Sequence, residues 1–145
     1  MTVRGGEARR RGLARKVLAR RAGAAVDATA VAAAASRAYN DLAQVLAPVI
    51  GDVGVAAMTD RALHLTTREY AWLPSRAPGP AHTTFSQVID VLKRQDDPAV
   101  AIEAAAAVFA AIIDLLATLI GDRLATRLVR QAWPDAVSSA DTVET

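Results

Sequence analysis

His64 and His82 are the only histidines in the chain, and at neutral pH they are the side chains most able to move a proton, accept a phosphoryl group or ligate a metal. Neither has a His-x-x-x-His or Glu-x-x-His partner nearby, and there is no cysteine, so the sequence shows no spacing that favours a metal site. No metal and no cofactor is expected. A phosphoacceptor on a helix is the other use for His64. The run His64-Leu65-Thr66-Thr67 lacks an acidic neighbour and a proline, so a polar histidine at a helix boundary is the preferred reading.

Glu103 and Asp114 are eleven residues apart, close to three helical turns, and so share one face of the most apolar segment. They read in one of two ways. Either they are acids within a bundle, with a raised pKa or an arginine partner such as Arg123 or Arg127, or they are solvated carboxylates on an exposed face. The second is preferred, because a stranded buried charge costs several kcal/mol.

Arg9, Arg10, Arg11, Arg15, Lys16, Arg20 and Arg21 form a cluster able to contact phosphates. No aromatic residues interleave for stacking and no recognition helix follows, so nucleic-acid binding through them would be unspecific and salt-sensitive. A merely solubilising segment is an equal alternative. The first 21 residues set eight basic groups against Glu7 alone, leaving nine basic against fourteen acidic groups in the remainder. The basic leader has three possible partners: nucleic acid, an anionic lipid face, or the acidic body of the protein itself. No phosphate-cradling glycine loop, Gly-x-Ser-x-Gly elbow or hydrolytic carboxylate pair occurs, and the expectation is a protein that is not an enzyme.

The elements that carry these residues read as helices throughout. Of 145 residues 52% are hydrophobic but only 4% aromatic, so the apolar mass is alanine, valine, leucine and isoleucine, which favours closely approaching helices over an extensive sheet. The length suits one domain. No secretory apolar run opens the chain, so a cytoplasmic location is expected, and a bacterial source is expected alongside it.

A short helix is predicted over 7–22, its order weakened by four glycines. Asp27 caps a second, with Val31, Ala35, Ala38, Leu42, Val45 and Val49 at alternating fours and threes. Pro48 strains or ends that helix, and Gly51 with Asp52 offers a stop and a fresh cap. A third runs from Val53 to Tyr70. Pro74, Pro78, Gly79 and Pro80 mark a stiff linker. Thr84 and Gln87 form a capping-box pattern for a short helix, and Asp97-Pro98 opens the most apolar one, with Ile102, Ala105, Phe109, Ile112, Leu116 and Leu119 again at alternating threes and fours. Its stretch from Ala99 to Ile120 is long enough to cross a bilayer, but two acids interrupt it and a buried bundle helix is the better account, so no transmembrane segment is expected. Gly121-Asp122 breaks it, and a last helix carries Leu124, Leu128, Val129 and Trp133.

Sliding the chain by 70 residues lays Leu42, Leu46, Ala47, Ile50, Gly51 and Asp52 over Ile112, Leu116, Ala117, Ile120, Gly121 and Asp122. Both halves then close on an Ala-Trp near a proline, Ala71-Trp72 and Ala132-Trp133. The expected fold is therefore all-α, a bundle of about five or six helices built from two helix-Gly-helix repeats related by an approximate twofold. Residues 1–23 form a basic, partly ordered segment. Residues 24–134 form the domain, with repeat 1 over 24–73, a linker over 74–83 and repeat 2 over 84–134, followed by a disordered tail over 135–145. The structural corners are Ile50, Gly51, Asp52, Ile120, Gly121 and Asp122.

Few functional polar groups on alanine-rich helices point to an interaction or regulatory module that acts through its surface and pairs with itself as a homodimer. The alternatives are a small-molecule sensor with an apolar pocket between the repeats near Tyr39, Trp72 and Trp133, and the unspecific nucleic-acid binder described above.

Overall fold

The computed structural model describes residues 2–23, 27–74 and 85–134, with side chains of the first segment from Arg9 onward. Among these residues the chain is all-helical, with no strand and five helices: α1 (Thr2–Ala22), α2 (Ala28–Thr66), α3 (Phe85–Lys93), α4 (Pro98–Ile120) and α5 (Asp122–Ala132).

Two aspartates start the long helices. The Ala30 amide donates to Asp27 Oδ1 at 2.7 Å and the Ala99 amide to Asp97 Oδ1 at 2.9 Å, each satisfying one of the amides that a helix start leaves unpaired. Pro98 follows at a position where its missing N–H costs nothing.

Neither long helix continues straight. Gly51 has φ 81, ψ 161 and Gly121 has φ 93, ψ 154, an extended turn in the positive-φ region that side chains with a Cβ rarely enter. Pro48, by contrast, sits inside the first arm of α2 without ending it. How sharply the chain turns is seen from what meets across each glycine. In an unbroken helix Tyr39 and Thr59 would lie about 30 Å apart. Instead their hydroxyl oxygens are 2.8 Å apart. Phe109 and Trp133 would be separated by about 36 Å, yet their ring centroids lie at 5.2 Å. Each arm therefore folds back on the one before it.

Asp122 departs from its expected role as a cap. Gly121 is the cap residue of α5, no side chain bonds its first amides, and Asp122 is the first helical residue, favourable there through the helix dipole. The second arm of α2 is shorter than the sequence suggests. It ends at Thr66, where the Thr66 hydroxyl donates to the Ala62 carbonyl, and Tyr70, Trp72 and Leu73 lie in the turns that follow. The Thr84 cap, all of the 74–83 linker after Pro74, and the tail from 135 lie outside the described residues.

The core is built mainly from alanine, valine, leucine and isoleucine, with one aromatic chain through it. Tyr39 stacks on Phe85 at 4.2 Å, Phe85 lies 5.4 Å from Phe109, and Phe109 meets Trp133 edge-on. Trp133 is fully buried and its Nε1 donates to the Ala38 carbonyl at 2.9 Å. α2 packs on all four other helices, α1 and α5 also pack on α4, and α3 packs on α2.

The offset of 70 residues extends further than the corners. It lays cap Asp27 over cap Asp97, buried Val55 and Met58 over buried Ala125 and Leu128, and buried Leu63 over buried Trp133. It also lays buried Leu18 of α1 over buried Val88 of α3. Trp133 thus shares its register with Leu63, whereas Trp72 lies beyond the end of α2, half-buried and edge-on to Tyr70 at 6.1 Å.

Candidate functional site

α1 is tied to the body by arginines. Ala14, Val17 and Leu18 are wholly buried, and the flanking face carries the cations. Arg10 donates to Asp114 and, at 2.8 Å, to Asp122. Arg11 grips Glu69 with two bonds of 3.0 and 2.7 Å, Arg15 meets Glu103 at 2.6 Å, and Arg21 meets Asp41 at 2.7 Å. Because the partner number falls from 114 to 103 as α1 rises from 10 to 15, α1 and α4 run antiparallel.

Glu103 and Asp114 are thus not unpaired on an exposed face, and the arginines that pair with them are not Arg123 and Arg127. Both acids are half-exposed carboxylates paired with the N-terminal helix. The two-bonded arginine beside Glu69 holds its carboxyl below the usual value of 4.5, against an opposing push from partial burial. Burial, and then the neighbouring Glu69 charge, raise the Tyr70 hydroxyl above its usual 10.0.

Of the seven cations that form the candidate phosphate-contacting cluster, Arg10, Arg11, Arg15 and Arg21 therefore face carboxylates of the same chain. Arg9 lies exposed, and Lys16 and Arg20, also exposed, each have an interaction of their own.

Beside the clamp lies an open cleft of about 450 Å³ between the last turns of α2, the middle of α4 and Arg11 of α1. Its apolar wall is Leu65, Ala107, Ala110, Ala111 and Leu115, and its polar rim is Arg11, Thr66, Arg68, Glu69, Asp114 and Thr118. Small alanines on α4 leave the space that larger side chains would fill. The Thr66 and Thr118 hydroxyls both donate to carbonyls one turn back, so they are already engaged. Arg68 is exposed and has no ion-pair partner among the described residues. Single-sequence periodicity cannot find this cleft, because it depends on where the second arm of α2 crosses α4.

Tyr39 and Trp133, two of the three aromatics expected around a pocket, are joined through Phe85 and Phe109 in the packed core, and Trp72 stands apart from them. None of the three lines the cleft. His64 is exposed, and no group of three or more potential metal-ligating side chains is found among the described residues.

Among the described residues, the corners carry the most exposed large apolar side chains. Val53 is 84% exposed and Leu119 64%, with Val49 and Leu124 at 46% and 37%. Ile50 and Ile120 sit half-buried against the core beside their glycines. α2 and α4 are both long and apolar enough to cross a membrane by length and composition. They differ in how far the bundle covers them, with 61% of the most apolar stretch buried in α4 but only 22% in α2. Comparison of the chain with protein-family models, with curated proteins and with solved structures gave no match.

Proposed function

We propose that this protein is a helical interaction module, not an enzyme, which acts through its bundle surface and associates with itself. The observation that supports this reading is the uncovered apolar surface at the glycine corners. Val53 projects almost fully into solvent, and α2 leaves most of its apolar stretch outside the core. Exposed large apolar side chains on both sides of one turn are surface that an interface can use.

In the same reading the chain consists of two units related by an approximate twofold, α1 with the two arms of α2, and α3 with α4 and α5. The first helix of each unit reaches the other, since α1 packs on α4 as well as on α2, and α3 packs on α2. The matched caps, glycine turns and burial at an offset of 70 support it. Sedimentation velocity over a wide concentration range tests the association. A species that grows in mass with concentration is expected, and a strict monomer at every concentration removes the reading.

A second reading is favoured by the cleft. An apolar wall with Arg68 on its rim, which has no ion-pair partner among the described residues, suits a small apolar molecule bearing a carboxylate. Titration with decanoate, read by thermal shift, is expected to stabilise the protein, and Arg68→Ala to weaken that response. No shift in the unmodified protein counts against it.

A further inference from the structure

The two glycine corners have the same backbone but opposite surfaces. At the first, Val49 and Val53 stand exposed around Gly51, and Asp52 is the sole ionisable residue between Asp41 and Asp60. Asp52 is exposed and has no ion-pair partner among the described residues. At the second, Leu119 and Leu124 stand exposed around Gly121, but its aspartate, Asp122, is already paired with Arg10.

Asp122 stays largely exposed but is paired with Arg10, so what the second corner adds to its surface is the positive charge of two further arginines. Arg123 and Arg127, one turn apart on α5, occupy the positions where the first corner has Val53 and Ala57. Both arginines are exposed and neither has an ion-pair partner among the described residues. One corner thus offers bare apolar surface with a lone carboxylate, and the other offers leucines flanked by arginines.

We propose that the first corner of one molecule docks on the second corner of another, with Val49 and Val53 against Leu119 and Leu124, and Asp52 paired with Arg123 or Arg127. The occupant is thus a second copy of this chain, and the inference rests on the self-association reading above. Charge complementarity selects this pairing over its rivals. Two first corners would bring two Asp52 carboxylates together with no cation between them, and two second corners would oppose surfaces on which Arg123 and Arg127 outnumber the Arg10-paired Asp122. Arginine stems lying over Val53 and Ala57 also cover apolar surface while their heads remain near Asp52. Such a contact joins unlike surfaces, so it closes a ring or continues head to tail.

Complementation between two variants of the full chain tests it by sedimentation velocity. Val53→Asp disables the first corner only, and an acid in the first turn of a helical arm leaves the helix intact. Leu119→Asp disables the second corner only, with Leu124→Asp as its independent substitute. Circular dichroism confirms that each is folded. Each variant alone is expected to sediment as a monomer, and the two mixed in equal amounts as a 1:1 dimer and nothing larger. The inference is overturned if the unmodified chain associates while either folded variant alone still associates as it does, or if the mixture stays monomeric. A strictly monomeric unmodified chain overturns the self-association reading itself, and the docking with it.

Discussion

Gly51 and Gly121 hold one turn in common, φ 81, ψ 161 and φ 93, ψ 154, and each brings the helix after it back onto the helix before it. A Cβ built on either glycine meets no atom within 4 Å, so a side chain there has room. What it lacks is a permitted backbone. Gly51→Ala and Gly121→Ala are therefore expected each to cost about 1 to 3 kcal/mol through backbone strain alone. Urea unfolding measures this, and a loss under about 0.5 kcal/mol at either site would mean that the chain there accepts an ordinary helical conformation.

Trp133 closes the second fold-back. It is fully buried, edge-on to Phe109, and bonded through Nε1 to the Ala38 carbonyl. Trp133→Ala is expected to cost about 3 to 5 kcal/mol, as for other large buried aromatics. Trp133→Phe keeps most of the apolar volume and should lose much less. If both variants unfold at the urea concentration of the unmodified protein, the indole is not part of the core.

These fold-backs also mark what was legible in the sequence. Both cap aspartates and both glycine breaks can be read from local residue types, because caps and turns act over a few residues. So can the apolar stripes, which are buried at Val31, Ala35, Ala38 and Leu42 and at Ala105, Phe109, Ile112 and Leu116. The stripes mislead only at their ends. Val49 and Leu119 keep the helical spacing, yet they emerge at the corners where no neighbour remains to cover them. The partners of Glu103 and Asp114 were not legible, since Arg15 and Arg10 reach them from a helix some ninety to a hundred residues away in sequence. The cleft needed tertiary placement, and so did the burial of Trp133 without Trp72.

Tyr39 links the two arms of α2 at the other fold-back. The Thr59 hydroxyl has a single hydrogen, which it donates to the Val55 carbonyl at 2.9 Å, so the Tyr39 hydroxyl is the donor toward Thr59. Tyr39→Phe removes that bond and keeps the ring stacked on Phe85. A loss of about 0.5 to 1.5 kcal/mol is expected in chemical denaturation. Thr59→Val should cost less when added to Tyr39→Phe than when made alone, because the partner hydroxyl is already gone. Full additivity would show that the two hydroxyls do not depend on one another.

The clamp on α1 predicts how stability changes with acid. Glu69 has a folded pKa below 4.5, because the Arg11 guanidinium bonds its ionised form. Its contribution is therefore complete above 4.5 and is lost as the pH falls through the lower, folded value. Both side chains are partly exposed, so the effect stays within the range of about 1 kcal/mol or less measured for surface pairs. Glu69→Gln should lower stability at neutral pH by that small amount and flatten the acid limb below about pH 4.5. Hydrogen exchange along α1 gives a local reading, and its amides should exchange faster in Glu69→Gln at neutral pH but at matched rates in strong acid. Tyr70 behaves in the opposite sense: burial raises its pKa above 10.0, so its contribution holds below that value and is lost as the pH rises through the folded one. An acid limb that is identical with and without Glu69 would show that the Arg11 bond does not persist in solution.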